Sequence, residues 1–151
     1  PLDQPIWPAE SPPFDLRAVT AALASSHIGQ EIAARSGTFL TPTPASVEAV
    51  ESYCLATRGG EGAAPHAPWT PSDEDEELIL ACGALLGETL IASYGGVWEG
   101  DPSSPSDTRL FRVICEDRVA AWPVTQVYLR LKNGSRYNLV DFVAAVGRLL
   151  A

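Results

Sequence analysis

Apolar residues recur at helical spacing over most of this chain, and capping residues mark where the repeats begin and end. Asp15 offers a carboxylate to a first turn, and Leu16, Val19 and Leu23 follow three and four apart, which predicts a helix over residues 14–35. Gly29 and Ser36-Gly37 weaken its end. Thr43-Pro44 then places a cap and a first-turn proline before residues 45–57, where Val47, Val50, Cys54 and Leu55 share one face. Arg58-Gly59-Gly60 supplies a basic last turn and a glycine stop. Gly, Ala and Pro dominate from there, so residues 59–69 read as a flexible linker. Thr70-Pro71-Ser72 repeats the cap-and-proline device and opens a helix over about 71–94. Residues 78–92 of that helix are apolar almost all round, as in a helix buried at the centre of a fold, and Gly83 and Gly87 open one side to close contact.

Beyond Tyr94-Gly95-Gly96 the pattern changes. Residues 97–99 read as extended, 101–107 as a Ser/Pro turn, and 110–115 and 118–122 as two strands joined through Glu116-Asp117. Residues 124–132 alternate in a way that fits helix or strand, and Asn133-Gly134 signals a turn. Residues 138–150 form an amphipathic helix with Leu139, Phe142, Val143 and Val146 on its apolar face. The expected class is α+β: a helical N-terminal half, a central buried helix packed on a small, mainly antiparallel sheet, and a C-terminal helix. Residues 1–13, with five prolines, read as an irregular arm bearing Ile6 and Trp7 as anchors, and residues 14–151 as one domain.

Charge sharpens this picture. The net charge of -9 belongs wholly to residues 1–77, which carry 12 acids against three arginines; residues 78–151 carry seven of each sign. Such acidity argues against nucleic acid and anionic membranes as partners. The longest apolar run, residues 78–86, is far shorter than the roughly 20 residues of a membrane span. Residues 1–13 lack the charged start and apolar stretch of a signal peptide. Three cysteines, Cys54, Cys82 and Cys115, form no CxxC and suit a reducing compartment, so the expected address is cytoplasmic.

Three segments of the second half, Leu86-Gly87-Glu88, Gly95-Gly96-Val97-Trp98 and the stretch from Pro123 through Val127, Arg130 and Leu131 to Asn133-Gly134, together resemble a pattern of uncharacterised bacterial domain-of-unknown-function families. The resemblance covers about residues 72–150 and implies an α+β architecture with no assigned reaction.

Candidate chemistry is sparse. Asp73, Glu74, Asp75, Glu76 and Glu77 sit where negative charge meets the free N–H groups of a helix start, worth roughly 0.3–1 kcal/mol each, and they also offer a docking patch for a basic surface, with Trp69 as an aromatic anchor beside it. The favoured reading of Trp69 is that it clamps the linker to the body. Trp98 and Trp122 fall in strand segments and read as core. Glu88 is the only charge between Leu78 and Tyr94; buried, it would need a partner, and Arg130 is the expected one. Alternatively Glu88 lies at the exposed margin of its helix, or acts as a catalytic carboxylate without a second acid or histidine in suggestive spacing. His27 and His66 have no neighbours at metal-ligand spacing, the cysteines suit core positions, and no GxSxG, Walker or GxGxxG motif occurs. No catalytic residue, metal or cofactor is therefore assigned.

The favoured function is a non-catalytic acidic protein-binding module, an adaptor or immunity-type inhibitor engaging a basic protein surface. The alternatives are a small-ligand-binding protein or enzyme with a site assembled from Glu88, Arg130, Tyr128 and Asp141, and a secretion-chaperone-like dimer. The oligomeric state is left open.

Overall fold

The structure, a computed structural model, describes Pro12 and residues 15–151. Ile6 and Trp7, expected as anchors of the arm, lie outside the described residues. The fold is α+β, with six α-helices and a three-stranded antiparallel sheet among the described residues. Helix α1 (Leu16–Leu23) is capped by Asp15, whose carboxylate accepts from the N–H groups of Arg17 and Ala18. The helix expected over 14–35 is two helices. Ser26 accepts from the Gly29 N–H at 2.9 Å while donating to the Leu23 carbonyl at 2.7 Å, which ends one helix and starts α2 (His27–Ser36). The turn is so tight that a Cβ on Gly29 would lie 1.7 Å from the Leu23 carbonyl oxygen.

Helix α3 (Pro44–Arg58) begins as expected, with Thr43 as cap and Pro44 in the first turn. Helix α4 (Asp73–Tyr94) is capped by Ser72, which accepts from the Asp75 N–H. By length and composition α4 is apolar enough to cross a membrane, contrary to the expectation from its longest apolar run; in this fold 56% of that stretch is buried, and α4 is the core helix. It packs most extensively on α1 and on α5 (Pro123–Asn133). The ambiguous stretch 124–132 is thus helical: Pro123 starts it, and Val124, Val127 and Leu131 face the core three and four apart. Helix α6 (Leu139–Leu150) closes the chain, with Asn138 accepting from the N–H groups of Val140 and Asp141.

Strands β1 (Val97–Glu99), β2 (Arg112–Cys115) and β3 (Val119–Ala121) pair in chain order, and Glu99 opposite Arg112 forms a cross-strand ion pair at 3.3 Å. The β2–β3 turn holds Glu116 and Asp117 at φ 52° and 54°. Trp98 is half-buried and packs against the core as expected, whereas Trp122 is 40% exposed and is not the core residue expected; it immediately precedes Pro123, where the chain leaves the sheet for α5.

The expected linker 59–69 is a strap bonded to the end of α5. Ala63 and Ala64 donate to the carbonyls of Leu131 and Lys132, and Ser135 donates to the Gly60 carbonyl. Gly134, at φ 93°, has no room for a side chain, since its Cβ would lie 2.2 Å from that same Gly60 oxygen.

Gly83 and Gly87 do open one side of α4. A Cβ on Gly83 would lie 2.7 Å from the Val124 Cα of α5, and one on Gly87 would lie 2.1 Å from the Trp98 ring. Gly87→Ala therefore forces the indole off the helix, and the overpacking outweighs the gain of about 1 kcal/mol in helix propensity. The expected result is a net loss of about 1–2 kcal/mol in urea unfolding together with a changed Trp98 environment in near-UV circular dichroism.

Candidate functional site

The structure separates the residues that the expected polar site would have joined. Arg130 and Glu88 do not pair. Arg130 is 0% exposed and turns to α3, where its Nε donates to both carboxylate oxygens of Glu51 at 2.9 and 3.0 Å. Its Nη1 donates to the Gly59 carbonyl at 3.2 Å, and the Leu139 N–H at the start of α6 donates to the same Glu51 carboxylate at 2.9 Å. The Arg130 Nη2 is buried with no hydrogen-bond partner among the described residues. This clamp ties α3, the strap, α5 and α6 together. Glu51, 7% exposed, carried a signal in the chain: it lies on the Val47–Val50–Cys54 stripe of α3, where a charge has to be matched. Tyr128 and Asp141 also go elsewhere. The Tyr128 ring stacks on Trp69 at 5.6 Å and takes the Arg109 guanidinium 4.0 Å from its centre, whereas Asp141 is exposed in the first turn of α6.

Trp69 is thus an intramolecular anchor of the strap. The acidic run beside it is partly matched: Arg58 contacts Asp75 at 3.0 Å and Glu74 at 3.8 Å, and Arg109 contacts Glu76 at 3.0 Å. Asp73 and Glu77 are exposed without an ion pair to a described residue. Among the described residues no group of three or more His, Cys, Asp or Glu could hold a metal ion.

Glu88 takes a different position. The C-terminal half of α4, the exposed face of α1 and the segment 39–42 enclose a cleft of about 640 Å³. Its walls are mainly apolar, with Ala21, Ala24, Leu40 and Ile91 lining it, and Phe39 stands at its edge 76% exposed. A second cleft of about 430 Å³, bordered by Val97 and Trp98, shares Arg17, Glu88 and Ile91 with the first. Glu88 therefore lines both clefts, which together are termed the furrow. Its Oε2 accepts from the Trp98 Nε1–H at 2.9 Å, and Gly87 is the space that lets the indole lie against α4 to make this bond. Helix α4 and strand β1 thus position the carboxylate, and the furrow offers an apolar surface with one fixed acid in it. Phe39 was not among the candidate residues of the sequence; it lies in a segment between helices whose fold, not composition, exposes it.

The three cysteines are buried thiols. Burial pushes Cys54 up to about 12 and Cys82 well above the ordinary value, and burial followed by the Glu116 charge raises Cys115. Comparison with protein-family models, with curated proteins and with solved structures finds no match for this chain.

Three measurements test this arrangement. Glu51→Gln leaves Arg130 buried without a counter-charge and should lower unfolding free energy by about 3–5 kcal/mol, whereas Glu51→Leu combined with Arg130→Met should cost less than the sum of its two single variants. At pH 8 a thiol reagent should modify none of the cysteines in the native protein on the timescale on which it modifies all three in urea. Because the unfolded Cys54 thiol ionises near 9.0 and the folded one only near 12, stability should fall as pH rises through that window, measured by urea titration.

Proposed function

We propose that this chain is a non-catalytic protein-binding module whose contact face is the furrow of α1, residues 39–42 and α4. The observation that carries this reading is Phe39, a large apolar side chain left 76% exposed at the edge of a mainly apolar cleft. Left in water, such a side chain forgoes its transfer free energy in the free chain, and burial by a partner recovers about 2 kcal/mol as binding. The net charge of -9 adds long-range attraction for a basic partner, with Asp73 and Glu77 the acids of the helix start that have no ion pair to a described residue. The expected docking patch at Asp73 to Glu77 becomes a steering element in this reading, since three of its five carboxylates already face Arg58 or Arg109. The non-catalytic reading is supported by the dispersal of Arg130, Tyr128 and Asp141 to separate structural contacts. A cytoplasmic address, with its reducing conditions, suits the three free thiols.

Affinity capture on immobilised protein tests the proposal. A partner held by the native chain should be lost from Phe39→Asp, which replaces an exposed side chain and should leave the melting temperature within about 2 °C. Neutralising Asp73 and Glu77 should weaken capture modestly and reduce its dependence on salt. Retention of the same partner by Phe39→Asp at unchanged strength would refute the reading.

A further inference from the structure

Resting on the proposed binding face, we infer that the furrow recognises an amphipathic helical segment of another protein that carries a lysine or arginine inside its apolar stripe. Two helices, α1 and α4, form the walls, and the side chains they present at Ala21, Ala24 and Ala92 are small enough for a third helix to approach. Between those walls stands Glu88. One of its oxygens is held by the Trp98 indole at 2.9 Å, which fixes the carboxylate, and the other makes no hydrogen bond to a described residue. Arg17, the other charged residue lining both halves of the furrow, is exposed and forms no ion pair with Glu88. A fixed acid within an apolar furrow, on a protein of net charge -9, favours a cation projecting from an apolar helix and rejects a carboxylate at the same place. An incoming ammonium or guanidinium would bond the free oxygen while flanking leucines cover Ile91 and Phe39.

The probes are two synthetic amphipathic leucine helices identical except at one stripe position, lysine in one and norleucine in the other. Both are titrated by calorimetry into the full chain at 0.15 M salt. The lysine peptide should bind about tenfold more tightly than its norleucine twin, the scale of a charged hydrogen bond. Glu88→Gln, which keeps an acceptor for Trp98 but removes the charge, should erase that difference, and Phe39→Asp should weaken both peptides. The comparison of the two peptides on the native chain stands even if either variant fails to fold. Equal affinities that both fall in Phe39→Asp overturn the cation and leave the binding face intact. Failure of both peptides to bind, or indifference to Phe39→Asp, overturns the face itself. A self-dimer in sedimentation that disappears in Phe39→Asp, or a peptide of residues 1–11 that binds more tightly than the lysine probe, assigns the furrow to a different occupant and overturns the inference.

Discussion

The rest of this structure depends on one buried ion pair. Removing a carboxylate and a guanidinium from water costs several kcal/mol each, and only good geometry with further hydrogen bonds offsets it. Arg130 meets that demand by giving Nε to both oxygens of Glu51 and Nη1 to the Gly59 carbonyl, while Glu51 also accepts the first N–H of α6. Together these bonds join four segments, through Glu51, Gly59, Arg130 and Leu139. Moving α3, the strap, α5 or α6 by an ångström would strand a charge in the core, so their relative positions are mutually determined.

With those elements held, α4 is free to specialise its two ends and its sides. Gly83 lets α5 close on one side, and Gly87 receives the Trp98 ring, so the same spacing of small residues both packs the core and delivers the indole N–H to Glu88. Tyr94 completes the arrangement by donating to the Val143 carbonyl of α6 at 3.1 Å. The side of α4 that faces α1 and residues 39–42 is left with the furrow. Core and contact face are therefore consequences of one helix, and a change in its packing propagates to the carboxylate on its surface.

Much of the fold was legible in the chain because capping chemistry is local. Thr43-Pro44, Asn138, the glycine stops and the Glu116-Asp117 turn need only their neighbours to be read. The break between α1 and α2 was hidden by Leu23, Ile28 and Ile32, which keep an apolar rhythm across it while Ser26 competes for the backbone. Helix α5 was ambiguous because half-buried Tyr128 and Leu129 blur its stripe into an alternation. The ion pair is half legible: Arg130 and Glu88 stand out along the chain, whereas Glu51, the true partner, stands out only on its helix face. The furrow was illegible for a different reason, since three segments compose it and none of them is distinctive alone.

The separation of Glu51 from Arg130 by 79 positions has a consequence for biosynthesis. A ribosome releases the acidic half first, so the nascent chain exposes Val47, Val50 and Cys54 before the arginine, the strap's anchor on α5 or the α6 face exist to cover them. That same half carries all nine net negative charges, and like charges on two unfinished chains repel one another.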